Sequence, residues 1–556
     1  MKRIQIYSLF MLLMAGIIGC QTKDSKRTAE LNDLDLLRGE ITLCGSQEFG
    51  AVSFATLCNT ESQATFNLGI SLLHSFEYEE AEKAFVKAID LDPDCVMAYW
   101  GVAMSNFHSL WLQSGTKHLE KGSRILEIAQ SLPKSEREQD YLDAIHSFYK
   151  NWESVTSNER KNLFEAKMEG LYTKYPEDKE AAIFYALALN ATADPTDKSY
   201  ENQKKAGKIL EQLSESQPDH PGIAHYIIHT YDYPELATLA LPTARRYAEI
   251  APSSAHAQHM PSHIFTRLGL WEEAINSNLN STSSALCYSQ SIDSEGHWDE
   301  ELHGMDYLVY AYLQLGDNEK AIGQLDYLKS FKKVYPINFK VAYATAAIPS
   351  RIALENKNWI EAANLQLPPN DIEWDNFPWE KSILHFARAM GQVRTGNIES
   401  ANKELDTLKI NHQKLLETDE IYKANQVKIQ LNTVQAWIFF AMDRDDEALS
   451  LMTETSEMEY NTSKHAVTPG EVIPAGELLG DLLMEMGKPE KALLVYEFDL
   501  QQHPNRFNGI SGLAKAASAT NDKPKATKYF ELLLSQAQNS NSTRSELREA
   551  KEFLGK

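Results

Sequence analysis

The chain has 556 residues, of which 43% are hydrophobic and 24% charged, so it can bury a large core and is neither collagen-like nor broadly disordered. Acidic residues outnumber basic ones by 78 to 54, and the resulting net charge of −24 repels a phosphate backbone. We therefore expect no nucleic acid among its partners.

Residues 1–19 have the pattern of a secretory signal peptide. The basic pair Lys2-Arg3 precedes an apolar run over residues 4–18 that is short for a membrane span. The run ends in Ile17–Cys20, which resembles the lipobox of bacterial lipoproteins. That resemblance implies cleavage before Cys20 and acylation of its thiol, so that the lipid alone holds the chain on a membrane. The alternative is a soluble secreted protein, cut at the same place.

Two short segments separate this signal from the repeats. Residues 20–35 begin with the lipidated cysteine and are rich in Lys, Asp, Ser and Thr, as is typical of a flexible tether. Their Gln21, Lys23 and Asp24 resemble the export signal of Bacteroidota lipoproteins, which implies an outer-membrane lipoprotein on the periplasmic or the surface face. Residues 36–61 contain three glycines and few apolar residues, and we predict that they cap the first repeat.

Four further cysteines occur without a CxxC pair or a zinc-like spacing: Cys44, Cys58, Cys95 and Cys287. In an oxidising envelope, two of the first three can form a disulfide that ties the cap to the body. The sequence leaves open which two. No neighbouring base marks a catalytic cysteine, so we expect the others to be buried free thiols.

A repeat of about 34 residues begins at Ser62. Seven of its residues fall at the spacings of the tetratricopeptide repeat (TPR). They are small residues where two helices touch, large residues that fill the space between them and a proline at the exit: Leu68, Gly69, Leu72, Ala81, Phe85, Ala88 and Pro93. The chain resembles this family over residues 62–556. The resemblance implies an all-α, right-handed TPR-type solenoid of about twelve helix pairs, in which each pair buries its apolar stripe against its neighbours.

Further copies follow at intervals of 34 residues or slightly more. Ala492 and Ala526 are one repeat apart, as are Pro218 and Pro252. The predicted pairs begin near residues 62, 96, 145, 179, 221, 255, 302, 343, 382, 429, 473 and 507, with insertions around 112–140, 190–200 and 283–298. Because no alternating runs with hairpin turns occur, no strand is predicted.

In this repeat family the first helix of each pair lines a concave groove, and its inward positions share one helical face. In the middle of this chain those positions hold His225, His229, His256, His259, His263, Arg267, His303, Asp306 and Arg351. We predict that these residues line a ligand-binding groove.

Two chemistries suit the histidines. His225 and His229, like His259 and His263, are four residues apart, so each pair can share one metal ion, and four imidazoles suit a transition metal such as zinc. Neither pair contains the Glu of an HExxH motif, so a zincin-type hydrolase is not indicated. The other hypotheses are a polar floor that binds a peptide carboxylate or a sugar, and buried structural histidines.

Two features qualify this assignment. Pro261 falls inside the predicted helix and would leave His259 in a loop if it began the helix. Since Pro349 recurs at the same repeat position, we predict a tolerated kink. Near the carboxyl end, Glu477 and Asp481 lie one turn apart, and we interpret them as a solvated acidic face.

The sequence predicts an envelope-anchored TPR scaffold whose groove binds a peptide or partner protein, with an accessory role in polysaccharide utilisation and a glycan as a further ligand. The alternative is a metal-binding protein or metal-dependent enzyme centred on the histidines. No catalytic residue is identified. Nucleotide-binding and serine-esterase motifs are missing from the sequence, so an enzyme is the less expected outcome.

Overall fold

A computed structural model describes residues 27–110, 114–194, 197–293, 295–367, 371–462 and 464–556. The predicted signal peptide and Cys20 lie outside these residues. The chain forms two compact units. The first unit comprises the described residues up to 43, with 49–193 and 200–226, and the second comprises 44–48, 194–199 and 227–556.

The first unit is helical. Its helices are α1 (27–32), α2 (Thr60–His74), α3 (Tyr78–Leu91), α4 (Val96–Ser105), α5 (Thr116–Gln130), α6 (Glu136–Tyr149), α7 (Ser157–Lys174), α8 (Lys179–Ala191) and α9 (Glu201–Ser214). The boundary between the units falls within α10 (Pro221–Thr230). Capping boxes begin α6 and α7, because Ser135 with Glu138 and Thr156 with Glu159 satisfy the first backbone N–H groups of each helix.

The second unit contains the remaining helices. They are α11 (Ala237–Ile250), α12 (Ala255–His259), α13 (Pro261–Arg267), α14 (Trp271–Ile292), α15 (Asp299–Gln314), α16 (Asn318–Lys329), α17 (Phe339–Glu355), α18 (Trp359–Ala363), α19 (Pro378–Arg394), α20 (Ile398–Glu417), α21 (Ile421–Ala441), α22 (Asp445–Tyr460), α23 (Ala475–Glu485), α24 (Pro489–Gln502), α25 (Phe507–Ala519), α26 (Lys523–Gln536) and α27 (Ser545–Leu554), with a 3-10 turn at Trp374–Asn376.

The all-α, TPR-type class is confirmed, and the helix order gives twelve pairs within the described residues, from α2 and α3 to α25 and α26. The predicted pair start near residue 145 is wrong. The third pair begins with α6, and the supposed insertion at 112–140 contains α5, the second helix of the second pair. Helix α5 has apolar side chains at helical spacing, such as Ile125 and Ala129, but it begins 11 positions after the end of α4, whereas α3 begins four positions after the end of α2, so α5 lies out of the 34-residue register.

The prediction of no strands is also wrong in detail. Two strands of three residues, β1 (Gly296–Trp298) and β2 (Lys333–Tyr335), form a parallel ladder in the second unit with Gly296 opposite Lys333. Such short strands carry no detectable alternation, so the sequence pattern does not mark them.

The segment predicted as a tether is structured from residue 27 onward. Helix α1 buries Leu31, and Leu34 follows it into the interior. Arg27 pairs with Asp94 at 2.6 Å. The few apolar residues of this stretch thus anchor it to the first unit, and a flexible tether does not extend through residue 35.

Residues 49–60 pack against the first repeats by an aromatic contact. The Phe54 ring is buried, with its centroid 5.5 Å from that of Phe66 and 5.8 Å from that of Trp100. A disulfide joins Cys58 to Cys95 in the first unit. Two of the first three cysteines are therefore paired, as predicted.

Cys44 and Cys287 form a second disulfide, within the second unit. The expectation of buried free thiols is wrong for both residues, because a partner 243 positions away leaves no spacing signal in the sequence. No helix in the described part of the chain is long and apolar enough to cross a membrane.

Paired glycines let neighbouring helices approach closely at both ends of the chain. A Cβ atom on Gly69 or Gly101 would lie 2.6 or 2.4 Å from the ring of Phe85. The same arrangement recurs at Tyr496, whose ring would lie 2.5 and 2.4 Å from a Cβ atom on Gly480 and on Gly512. A large ring between two glycines is thus a packing unit of the repeat.

Candidate metal centre

The residues predicted to line an open groove are buried. Of the nine, His225, His229, His259, His263, His303, Asp306 and Arg351 are buried, and the side chains of His256 and Arg267 are only 12% and 10% exposed. These side chains therefore do not form an exposed groove surface in this structure, and their role in binding a ligand stays a prediction.

The chain's own loop after α22 covers part of this face. Arg351 Nη2 donates a hydrogen bond to the carbonyl oxygen of Gly470 at 2.9 Å, and Nη1 donates to that of Glu471. The Tyr343 hydroxyl also donates to Gly470 O, at 3.4 Å. Arg351 Nε pairs with Asp306 Oδ1 at 3.1 Å. Arg351 and Asp306 thus hold this loop where a groove ligand was predicted.

Three of the predicted histidines come together in the second unit: His259 ends α12, His263 lies in α13 and His303 lies in α15. Pro261 begins α13 instead of kinking one continuous helix, yet His259 stays helical because α12 ends only at that residue. Pro349, by contrast, lies inside the continuous helix α17. Ligand nitrogens of His259, His263 and His303 all lie within 4.8 Å of one another.

The Nδ1 atoms of two of these histidines are hydrogen-bond donors. His259 Nδ1 is 2.6 Å from Asn278 Oδ1, and the Asn278 amide nitrogen donates to Ala274 O at 2.7 Å, so Oδ1 must be an acceptor. His263 Nδ1 is 3.1 Å from Asp232 Oδ2. Cationic neighbours hold the pKa of Asp232 far below its usual value despite burial, so it too accepts. In the neutral imidazole, each Nε2 atom then carries a lone pair and no proton.

These two Nε2 atoms face each other at 3.0 Å. With both protons at Nδ1, the contact brings two lone pairs together and needs a cation between or beside them. A proton is disfavoured because burial lowers the pKa of His263 to about 4. Burial, with the neighbouring imidazoles, also lowers the pKa of His259 well below its usual value. The Tyr307 hydroxyl lies 3.4 Å from His263 Nε2.

His303 supplies the third imidazole. Its ring centroid lies 4.2 Å from that of His259, and burial lowers its pKa well below the usual value. It also borders a cavity of about 10 Å³, roughly the room of one water molecule, together with Asp306 and Tyr343. All three histidines are therefore neutral at physiological pH, the state in which imidazole binds metal ions.

The four histidines predicted as metal ligands do not all belong to this cluster. His225 lies in the first unit, where Nδ1 is 2.6 Å from His74 O. His229 lies in the second unit, with its ring centroid 5.7 Å from that of His263. His256 Nδ1 is 3.7 Å from Glu300 Oε2. The structure thus groups His303 with His259 and His263, because α15 packs on α12 and α14.

A second histidine cluster, in the first unit, has complete hydrogen bonding. His74 and His220 donate through Nε2 to the two oxygens of Glu180, at 3.0 and 2.9 Å. The other nitrogen of each ring accepts, from the Tyr226 hydroxyl for His74 and from the Ile223 N–H for His220. Every ring nitrogen has a complementary partner, so this cluster needs no additional cation.

Three supporting residues were not identified from the sequence: Asp232, Asn278 and Lys464. Asp232 accepts from His263, from Arg267 Nε at 2.8 Å and from Lys464 Nζ at 3.0 Å. Asp232 and Lys464 lie in loops outside the repeat positions, so the period does not reveal them. The sequence indicates only that a buried histidine N–H must have some hydrogen-bond acceptor, and not which residue supplies it.

The predicted acidic face at the start of α23 is wrong. Glu477 is buried and pairs with Arg506, with 2.7 Å between Oε1 and Nε. Asp481 pairs with Lys357 at 2.6 Å and accepts from the Tyr496 hydroxyl at 2.7 Å. These carboxylates face inward because the next helices pack over α23, so they are structural ion-pair partners.

Comparison with known proteins supports the repeat. Residues 62–95 match the family model described as "Tetratricopeptide repeat". No curated protein sequence matches the chain. Among solved structures, a human IFIT1 dimer with PPP-AAAA is 12% identical, over 85% of this chain and 90% of that one, with a TM-score of 0.33. The APC/C hetero-tetramer Cut9-Hcn1 is also 12% identical, over 88% and 90%, with a TM-score of 0.33.

These structural similarities are remote and carry no argument about what this chain binds. The exclusion of nucleic acid from the net charge therefore stays a prediction. Residues 62–95 thus match a tetratricopeptide repeat, and the order of the helices gives the chain an all-α, TPR-type fold.

Proposed function

We propose that the second unit binds one transition-metal ion through His259, His263 and His303. The observation that carries the proposal is the 3.0 Å contact between the Nε2 atoms of His259 and His263, whose protons are both held at Nδ1. Two nitrogen ligands of one tetrahedral metal ion lie at a similar separation, about 3.3 Å for bonds of about 2.0 Å. A metal ion between them converts a repulsive contact into a favourable one.

The surroundings support the same chemistry. A metal-bound histidine usually donates its other ring N–H to a carboxylate or carbonyl oxygen, which fixes its tautomer, and Asp232 and Asn278 accept in this way here. Neutral imidazoles favour zinc, copper, nickel or iron over calcium or magnesium. A set of three histidines leaves one coordination position for a water molecule or another ligand.

The test is the metal content of the chain from residue 21 onward, purified without a histidine tag. We expect about one zinc or other transition-metal ion per chain in the wild type and loss of the ion in the His259→Ala/His263→Ala variant. Cobalt substitution should add the visible absorption of a nitrogen-liganded tetrahedral ion. Far-UV circular dichroism checks that the variant is folded.

His220→Gln is the matched control, because His220 lies in the closed cluster with Glu180 and His74. Its metal content should equal that of the wild type. If the wild type binds no ion even after incubation with excess zinc, copper, nickel or cobalt, the proposal is wrong. Equal loss in His220→Gln and in the double variant would also contradict it.

The coarser function is that of a protein-interaction scaffold, which the tetratricopeptide repeat supports. Because the loop after α22 covers Arg351 and the histidines are buried, a partner would contact other surfaces of the repeats or displace this loop.

We further propose that the chain is a lipoprotein of the cell envelope. The lipobox-like Ile17–Cys20 supports this location, and so do two disulfides, which persist mainly in oxidising compartments. Labelled palmitate should be incorporated into the wild type and not into Cys20→Ser. Incorporation into both would contradict the lipidation site. A role in polysaccharide utilisation stays a prediction.

A further inference from the structure

Helices α22, α23 and α24, with the loop after α22, enclose a cavity of about 380 Å³ within the second unit. This volume lies in the range of small-molecule sites, about 300–1,000 Å³. Its wall combines apolar residues from α23 and α24 with several buried charged groups. The histidine cluster described above does not line it.

The mouth of the cavity is apolar. Tyr460, Leu494 and Phe498 border it, and they are 41%, 65% and 47% exposed. The rings of Tyr460 and Phe498 lie 5.0 Å apart at 58°. Exposed apolar side chains that converge on one cavity are typical of a ligand site, and the face of an aromatic ring attracts a cation.

The buried wall is rich in carboxylates. Glu459, Glu471 and Asp499 all line the cavity, together with His503. The imidazole of His503 lies between two of them, with 3.0 Å from Nδ1 to Asp499 Oδ1 and 3.2 Å from Nε2 to Glu471 Oε2. Although burial opposes it, these carboxylates raise the pKa of His503 well above its usual value. The imidazolium thus lies between the carboxylates of Asp499 and Glu471, while burial and the neighbouring Glu471 raise the pKa of Glu459 well above its usual value.

Asp499 has an oxygen that its protein neighbours leave unsatisfied. Its side chain is 4% exposed, and no donor among the described residues reaches Oδ2 within hydrogen-bonding distance. His503 uses only Oδ1. A buried carboxylate oxygen without a hydrogen-bond donor raises the free energy of the folded chain. A donor group of a ligand would remove this penalty.

We infer that this cavity binds an organic ammonium ion, with its charged nitrogen at Asp499 and its apolar body against Leu479, Leu494 and Phe498. The unsatisfied oxygen requires a donor, the carboxylates of Asp499 and Glu471 favour a positive charge beside them, and the aromatic mouth accommodates a cation or an alkyl chain. An amine on an apolar chain has all three properties. No histidine of the proposed metal site lines this cavity.

Other charged groups of the wall do not supply the missing donor. Arg267 Nε and Lys464 Nζ both line the cavity and donate to Asp232, at 2.8 and 3.0 Å. Lys198, Glu235 and Glu457 complete the charged wall. The alternative is that the cavity binds a carboxylate ligand through Arg267 and Lys464. The test must therefore compare ligands of opposite charge.

The test uses three ligands of equal length and different charge: hexylamine, 1-hexanol and hexanoate. Binding to the full soluble chain is measured at neutral pH by calorimetry and by ligand-observed NMR. We expect hexylammonium to bind about tenfold or more tightly than 1-hexanol, because it adds a charged hydrogen bond to the same apolar contact. Hexanoate should bind most weakly.

Variants assign the binding to this cavity. Asp499→Asn should weaken hexylammonium binding by about tenfold or more. Phe498→Ser, at the half-exposed mouth, should weaken it by a smaller factor without unfolding the chain. Glu490→Gln removes an exposed carboxylate from the same helix and should change nothing.

Three outcomes would overturn the inference. They are preferential binding of hexanoate, failure of hexylammonium to bind at millimolar concentration, and unchanged affinity in both Asp499→Asn and Phe498→Ser. Since none of these measurements requires a bound metal ion, a chain without a metal ion can still confirm the ammonium site.

Discussion

Replacing Arg506 by alanine is expected to destabilise the second unit by about 3–5 kcal/mol. Arg506 is fully buried and donates to Glu477 from Nε at 2.7 Å and to Glu355 from Nη2 at 2.6 Å. Its Nη1 also donates to the Tyr310 hydroxyl. Without the guanidinium, two carboxylates remain in the interior with no cation between them.

The loss should depend on pH. Burial raises the pKa of Glu477 to about 7 even beside Arg506. A carboxyl group whose pKa is higher in the folded state stabilises the fold when it is protonated, and this contribution is lost as the pH rises from about 4.3 towards 7. Without Arg506 the Glu477 carboxyl group is harder still to ionise, so the variant should lose more stability above neutrality than at acidic pH.

The measurement is the free energy of unfolding of Arg506→Ala and of the wild type, obtained by denaturant unfolding from acidic pH to above neutrality. As the control, Arg506→Met/Glu355→Gln/Glu477→Gln removes all three charges together and should recover much of the lost stability. A loss below about 1 kcal/mol in Arg506→Ala, or a triple variant less stable than the single one, would show that this network is not a structural ion-pair site.

Removing the disulfide between Cys44 and Cys287 is expected to cost about 4–5 kcal/mol, the upper end for a single bridge. The two cysteines are 243 positions apart, so the bond strongly restricts the unfolded chain. Without it the conformational entropy of the unfolded chain rises, which favours unfolding. Cys44→Ser/Cys287→Ser should therefore unfold at a much lower denaturant concentration. Hydrogen exchange should show the loss in amides of the second unit.

The other disulfide is the matched control. Cys58 and Cys95 are 37 positions apart, so Cys58→Ser/Cys95→Ser should cost slightly less, about 3–4 kcal/mol. Its effect should appear in amides of the first unit, where both cysteines lie. The same exchange pattern in both double variants would contradict the assignment of each bridge to its own unit.

The fold was largely predictable because helix pairing leaves a periodic signal. Gly69 and Phe85 occupy fixed positions in one repeat, and Gly480 and Tyr496 repeat the same contact, so the spacing alone indicates which helices touch. Helix α5 was missed because the longer connection from α4 shifts it out of the 34-residue register. The ladder of β1 and β2 was missed because three residues cannot establish a period.

The candidate site was only half predictable. The period placed His259, His263 and His303 on inward positions, and these are the residues that meet. It could not show that the loop after α22 returns to cover Arg351, because Gly470 and Arg351 are 119 positions apart. The carboxylate that orients His263 was not identified because Asp232 lies in a loop outside the repeat positions, and a groove surface was predicted where the structure has buried side chains.

The Asp232 carboxylate connects the two proposed binding sites. Its single carboxylate is shared by His263, Arg267 and Lys464, and the last two residues border the cavity at α22 to α24. A metal ion on His263 would add positive charge to this shared network and so oppose the arrival of an ammonium ion. Thermodynamic reciprocity then requires the amine to weaken metal affinity by the same factor. The two ligands would be mutual antagonists, and titrating hexylamine into metal-loaded and metal-free protein would measure that antagonism from either side.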